Sequence, residues 1–132
     1  MGSGIAQVAS QSGHEVVLAD TNQEQLDTAK AKLAKIMARL VEKEKLTDEQ
    51  AQDIQNRISY TTDINDFAGS GMVIEAIIEN LDIKKKVFAQ FESIVDGDCI
   101  LATNTSSLSV ASIAAACEKA ERVIGIHFFN PA

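Results

Sequence analysis

With 132 residues, 45% of them apolar and 23% charged, the sequence has room for one globular domain around one hydrophobic core. A net charge of −7 argues against a general nucleic-acid or anionic-membrane surface, both of which favour basic patches, but leaves open an anionic ligand held by backbone N–H groups and a lysine or two. Neither a secretory leader nor an apolar run of about 18 residues occurs, so a soluble, cytoplasmic protein is expected. Cys99 and Cys117 form no CxxC pair and have no metal-ligand spacing with His14 or His127. They read as reduced, semi-buried thiols, and no metal site is expected.

In chain order, Gly2 to Ser12 reads as a short helix with Ile5, Val8 and Ala9 apolar, stopped by Gly13. Glu15–Ala19 is a compact strand ending at Asp20. A long helix follows from about Asn22 to Lys45, with Leu26, Ala29, Leu33, Ile36, Met37 and Leu40 on one stripe. Thr47 and Gln50 form a capping box for a helix reaching about Gln55 or Asn56. Ile58–Thr61 is a short strand, Asp66–Gly69 a turn or short helix, and Met72–Ala76 a buried strand. A helix over Ile83–Val95 is built on Ile83, Val87, Phe91 and Ile94. Ile100–Thr103 is a strand, Ser109–Ala116 a helix, and Val123–Ile126 a last strand. Strands rich in β-branched residues, alternating with helices, indicate βαβ units and a parallel sheet covered on both faces, an α/β fold in a single domain.

Three patterns follow predicted strands, at the edge where open α/β sheets bind ligands. Met1-Gly2-Ser3-Gly4, followed by a strand ending in Asp20, matches the later part of a dinucleotide-binding unit, with an acid close to the roughly 20-residue spacing from the glycine loop. A carboxylate there accepts from an adenosine ribose 2′-OH and repels a 2′-phosphate, favouring NAD over NADP. The alternative is that Asp20 caps the next helix. Asn104-Thr105-Ser106-Ser107 could grip a nicotinamide ribose or a substrate oxygen, or could supply an N-cap through Ser107 or Ser109. His127-Phe128-Phe129-Asn130-Pro131 puts a histidine at the ligand edge, either as an acid/base or as a hydrogen-bonded core residue.

NTSSLS followed by HFFNPA, at the spacing set by Ser106 and His127, closely resembles the N-terminal domain of the 3-hydroxyacyl-CoA dehydrogenases, particularly the bacterial 3-hydroxybutyryl-CoA dehydrogenases. MGSGIAQ, VVLAD, VIEAIIENLDIKKKVF and RVIGIHFFNP agree in order and spacing, so the resemblance spans essentially the whole chain. It implies a Rossmann-like doubly wound parallel sheet, with NAD as cofactor and a 3-hydroxyacyl-CoA or 3-ketoacyl-CoA as substrate. By the same resemblance Gly2 is the third glycine of the fingerprint and Asp20 the ribose acid. Glu79 and Lys84 lie near the nicotinamide, and Asn104 contacts cofactor and substrate. Ser106 hydrogen-bonds the substrate's 3-oxygen, and His127 is the catalytic base. Lys43 meets the CoA phosphates unless it is simply a solvated lysine, and Asn130 is placed among the substrate contacts.

Family members begin with a strand and a GAGTMG loop, of which this sequence carries the final Met-Gly. The sheet is therefore expected to be incomplete at its N-terminal side, lacking a strand between Glu15–Ala19 and Met72–Ala76. The family's helical C-terminal domain and the glutamate that partners the histidine are not encoded either, so turnover by the chain alone is not expected. The other reading is a catalytically silent α/β module with weak or no NAD affinity, self-associating as a homodimer through the vacated sheet centre.

Overall fold

The computed structural model describes residues 2–129, which fall into two compact units, the first Ser3–Asp63 and the second beginning at Ile64. Asn130, implied above as a substrate contact, lies outside the described residues.

In the first unit, helix α1 (Gly2–Gln11) leads to strand β1 (Val16–Ala19), helices α2 (Gln23–Glu42) and α3 (Asp48–Asn56), and strand β2 (Ile58–Thr61). Gly13, at φ +96°, turns the chain out of α1 through a conformation that costs glycine little. The strands pair in parallel from Val16↔Ile58 to Ala19↔Thr61. Ala6, Leu33, Met37, Ala51, Ile54 and Ile58 pack into one apolar cluster. Ser10, a polar residue on the buried side of α1, is satisfied there: its hydroxyl donates to the Ile54 carbonyl, and its own carbonyl accepts from Arg57 at 3.0 Å.

The ends of α2 follow from local chemistry. Asn22 is its N-cap, accepting from the Glu24 N–H. At the other end Glu44 N–H bonds to Val41 and Lys45 N–H to Leu40, with Glu44 at φ +58°. This is a Schellman closure with glutamate where glycine is favoured, and it ends the helix at Glu42 rather than Lys45. Because a non-glycine residue in that conformation costs about 1 kcal/mol, Glu44→Gly should raise the urea midpoint by the equivalent of roughly 1 kcal/mol. An unchanged or lower midpoint would show that the left-handed turn carries no strain. The Thr47–Gln50 capping box of α3 is formed in both directions, as expected.

The second unit holds strand β3 (Met72–Glu75), helix α4 (Leu81–Ile94), strand β4 (Ile100–Thr103), helix α5 (Val110–Ala114) and strand β5 (Val123–Gly125), with 3-10 turns at Ile64–Phe67 and Ala120–Arg122. Its strands lie in the order β3-β4-β5, all parallel. Val73, Phe88, Phe91, Leu101 and Ile113 are among the residues of its core, where Phe88 and Phe91 meet edge-on at 5.6 Å. Cys99 and Cys117 are free and buried in the same cluster. Burial pushes both thiols up, which keeps them protonated and inert.

The expected interruption of the sheet is present: among the described residues β1 pairs only with β2 and β3 only with β4, so the parallel strands form two short sheets. One expectation changes. The buried face of α4 is turned from the expected one: Lys84, Phe88 and Phe91 are buried, while Ile83 is exposed. The helix also starts earlier, because the Asn80 side chain accepts from the Ile83 N–H and caps it. Among the described residues no helix is long and apolar enough to cross a membrane.

Candidate functional site

In the second unit the polar residues converge at the C-terminal ends of β3, β4 and β5. The strand ladder continues past its last pairs, with Asn104 N–H donating to the Glu75 carbonyl and Ile126 N–H to the Thr103 carbonyl, each at 2.9 Å. The NTSS loop and the His127 segment therefore leave neighbouring strands together. The Asn104 side-chain oxygen accepts from the Phe128 N–H at 2.8 Å, which pins the residue after His127 to the start of the loop.

Beneath the loop lies a buried ionic cluster. Glu75 alternates in phase with Val73, so its carboxylate enters the core. There it meets Lys84 of α4 at 2.6 Å, with both side chains essentially inaccessible. Glu75 also accepts from the Thr103 hydroxyl at 2.7 Å and the Ile77 N–H at 2.8 Å. Lys84 makes a second ion pair with Glu79 at 3.1 Å, and Glu79 is 42% exposed. The other Glu79 oxygen, Oε2, accepts from the hydroxyls of Thr105 at 2.6 Å and Ser107 at 2.7 Å.

The Thr105 and Ser107 hydroxyls, with Lys84 adding to them against some desolvation, hold the Glu79 carboxyl at about 2, well below the usual range. Its folded-state pKa lies below the unfolded value, near 4.3. The stabilisation it brings is thus complete above that value and fades as pH falls toward 2. Wild type should accordingly lose its urea-midpoint advantage over Glu79→Gln between about pH 5 and pH 2. A gap that stays constant across that window would remove the carboxylate from the account.

His127 is exposed, its ring 5.0 Å from that of the exposed Phe129. Ser106 is exposed too, between two residues whose hydroxyls are both engaged by Glu79. The helix start that Ser107 or Ser109 could have capped is capped by Ser109. In the first unit, Asp20 is exposed at the end of β1 and accepts from the Asn22 N–H at 2.9 Å. It shapes the turn into α2 without being the cap itself, and its carboxylate still faces solvent. Lys43 is the exposed C-cap of α2, and Gly2 is the first residue of α1. No acidic residue occupies the first turn of α1, so the positive end of that helix is not neutralised locally.

Sequence reasoning missed Glu75, Thr103, Thr105 and the bond from Ser107. Two signals were available: a glutamate in phase with the core side of a strand, and a lysine four and seven residues ahead of Phe88 and Phe91 on one helix face.

Parallel strands that end in polar loops, with an acid after the first strand, have the layout of a Rossmann-like nucleotide-binding domain. The family profile described as "3-hydroxyacyl-CoA dehydrogenase, NAD binding domain" matches residues 1–132, and the chain belongs to that family. A Deinococcus radiodurans protein described as "Probable 3-hydroxybutyryl-CoA dehydrogenase" is 47% identical over 99% of this chain and 47% of its own length. The fatty acid oxidation complex subunit alpha of Psychrobacter cryohalolentis is 39% identical, over 99% of this chain and 18% of its own. The crystal structure of 3-hydroxybutyryl-CoA dehydrogenase from Escherichia coli K12 superposes with a TM-score of 0.97 at 42% identity, covering 100% of this chain and 28% of that one. The chain thus spans half or less of each of these relatives.

Proposed function

We propose that the chain is a single dinucleotide-binding domain and forms the cofactor half of a cytoplasmic, NAD-dependent 3-hydroxyacyl-CoA dehydrogenase. The observation that carries this reading is the bond from Phe128 N–H to the Asn104 side chain, which ties the histidine-bearing strand exit to the hydroxyl loop. The residues suit NAD. Asp20 presents a solvent-facing carboxylate for ribose hydroxyls, and the start of α1 at Gly2 offers N–H groups and a positive dipole end for a pyrophosphate.

NAD, when bound, accepts the hydride released from C3 of the substrate. Ser106 donates to the 3-oxygen and holds it in the orientation that both transfers need. An imidazole nitrogen of His127 takes the hydroxyl proton as the C3–O bond becomes a carbonyl, and returns it in reduction. Asn104, whose side-chain oxygen is occupied by Phe128, has its amide group to offer cofactor or substrate. Glu79 and Lys84 are assigned to the nicotinamide end, Lys43 to the CoA phosphates, and Asn130 to the substrate.

The test is NADH oxidation by acetoacetyl-CoA in a full-length protein carrying this domain, followed by loss of reduced-nicotinamide absorbance. Turnover is expected. A folded, NADH-loaded protein with no turnover on any 3-ketoacyl-CoA would overturn the assignment. A second reading, a silent module that homodimerises and binds NAD weakly or not at all, is favoured by β1 and β3 each pairing on one edge among the described residues. Sedimentation as a dimer without NADH binding would establish it.

A further inference from the structure

We propose that Lys84 is a positioning residue, fixed from below by buried Glu75 and Thr103, and that through Glu79 it sets the geometry of the loop carrying Ser106. The proposal rests on the reading of Ser106 as the donor to the substrate's 3-oxygen.

Lys84 is 0% exposed, and of the three N–H donors of its ammonium one meets Glu75 and one meets Glu79. Its route to anything outside the protein therefore runs through Glu79. Glu75 has no freedom to move, since Thr103, Ile77 and Lys84 all donate to it and its side chain is inaccessible. Thr103 then closes a ring. Its oxygen accepts from the Thr105 N–H at 3.2 Å, while the Thr105 hydroxyl donates to Glu79 and accepts from the Leu108 N–H at 3.0 Å. Thr103, Glu75, Lys84, Glu79 and Thr105 thus form a closed circuit of contacts, with Ser107 as a second tie to Glu79.

The loop from 103 to 108 is held at both ends and at two hydroxyls. Ser106 stands between those two tied hydroxyls, and its own makes no hydrogen bond with the described residues. A buried ion pair is a poor device for stability, because apolar residues of similar volume do as well or better. Its use here is geometric: it turns the fixed position of a strand residue into a fixed position of a loop hydroxyl. A displacement of about 1 Å at a reacting centre costs on the order of 100-fold in rate.

The variants are Lys84→Met, Thr103→Val at the far end of the circuit, and Thr103→Ser as the conservative partner that keeps the hydroxyl. In this chain, carbon-detected NMR titration of the Glu79 carboxyl should give a value near 2 for wild type and Thr103→Ser. It should rise measurably in Lys84→Met and, to a lesser extent, in Thr103→Val, staying below the ordinary value near 4.3 for as long as Thr105 and Ser107 still donate. In the full-length dehydrogenase the two disruptive variants should lose on the order of 100-fold in kcat, a larger loss than any in NADH affinity. Thr103→Ser should restore kcat.

An unchanged Glu79 titration in the disruptive variants overturns the proposal. So does a loss confined to NADH Kd with kcat intact, which would leave Lys84 its place at the nicotinamide end and no part in positioning the loop. If Lys84→Met does not fold, Thr103→Val decides by the same two readouts. The titration needs neither cofactor nor turnover, so failure of the dehydrogenase reading and failure of the positioning role are separately visible.

Discussion

Replacing Lys84 by methionine will destabilise the second unit by about 3–5 kcal/mol, because it leaves the inaccessible carboxylate of Glu75 without its cation. Thr103 and Ile77 still donate to that carboxylate, but two neutral hydrogen bonds do not replace a buried ammonium at 2.6 Å. The double variant Glu75→Leu/Lys84→Met should recover most of the loss, since it removes both charges and fills the space with apolar groups beside Phe88. The measurement is a double-mutant cycle in urea at neutral pH, in which the two losses should be strongly non-additive. Additive losses would mean that the two residues are stabilised by different neighbours.

His127→Ala in a full-length dehydrogenase carrying this domain should lower kcat by about 100- to 10,000-fold, the range for losing a general base. The residue is exposed, and among the described residues its ring pairs with Phe129, so unfolding free energy should move by less than about 0.5 kcal/mol. The NADH Kd should also stay within about threefold. Stopped-flow hydride transfer alongside a urea curve separates these quantities. A variant that loses stability as well as rate would return His127 to the role of a packed core histidine.

Much of the local structure was legible because its causes are local. Thr47 and Gln50 cap α3 across a single turn, and Gly13 ends α1 where a positive φ is required. The stripe of Leu26, Leu33 and Met37 on α2 follows helical spacing into the core. Errors arose where a non-local partner decided. Lys84 belongs on the buried face of α4 because Glu75, on another element, meets it there, and a charged residue read alone is assigned to solvent.

The bonds that organise the NTSS loop run from Glu79 to Thr105 and Ser107, far apart in sequence, so no local rule could reveal them. For Asp20 the sequence leaves ribose ligand and helix cap both open; the cap is Asn22, with Asp20 bracing the turn before it. Ser106 and His127 stand out through resemblance to a family. Their residue types alone, a serine before a helix and a histidine after a strand, left structural alternatives open.

The central claim, that these residues form an NAD-binding dehydrogenase domain, is tested most directly by titrating the folded chain calorimetrically with NADH and with NADPH. Saturable NADH binding is expected, with NADPH bound at least about tenfold more weakly, a difference of roughly 1.4 kcal/mol, because the Asp20 carboxylate repels a 2′-phosphate. A folded sample that gives no heat with NADH, or that binds NADPH as tightly, would contradict it.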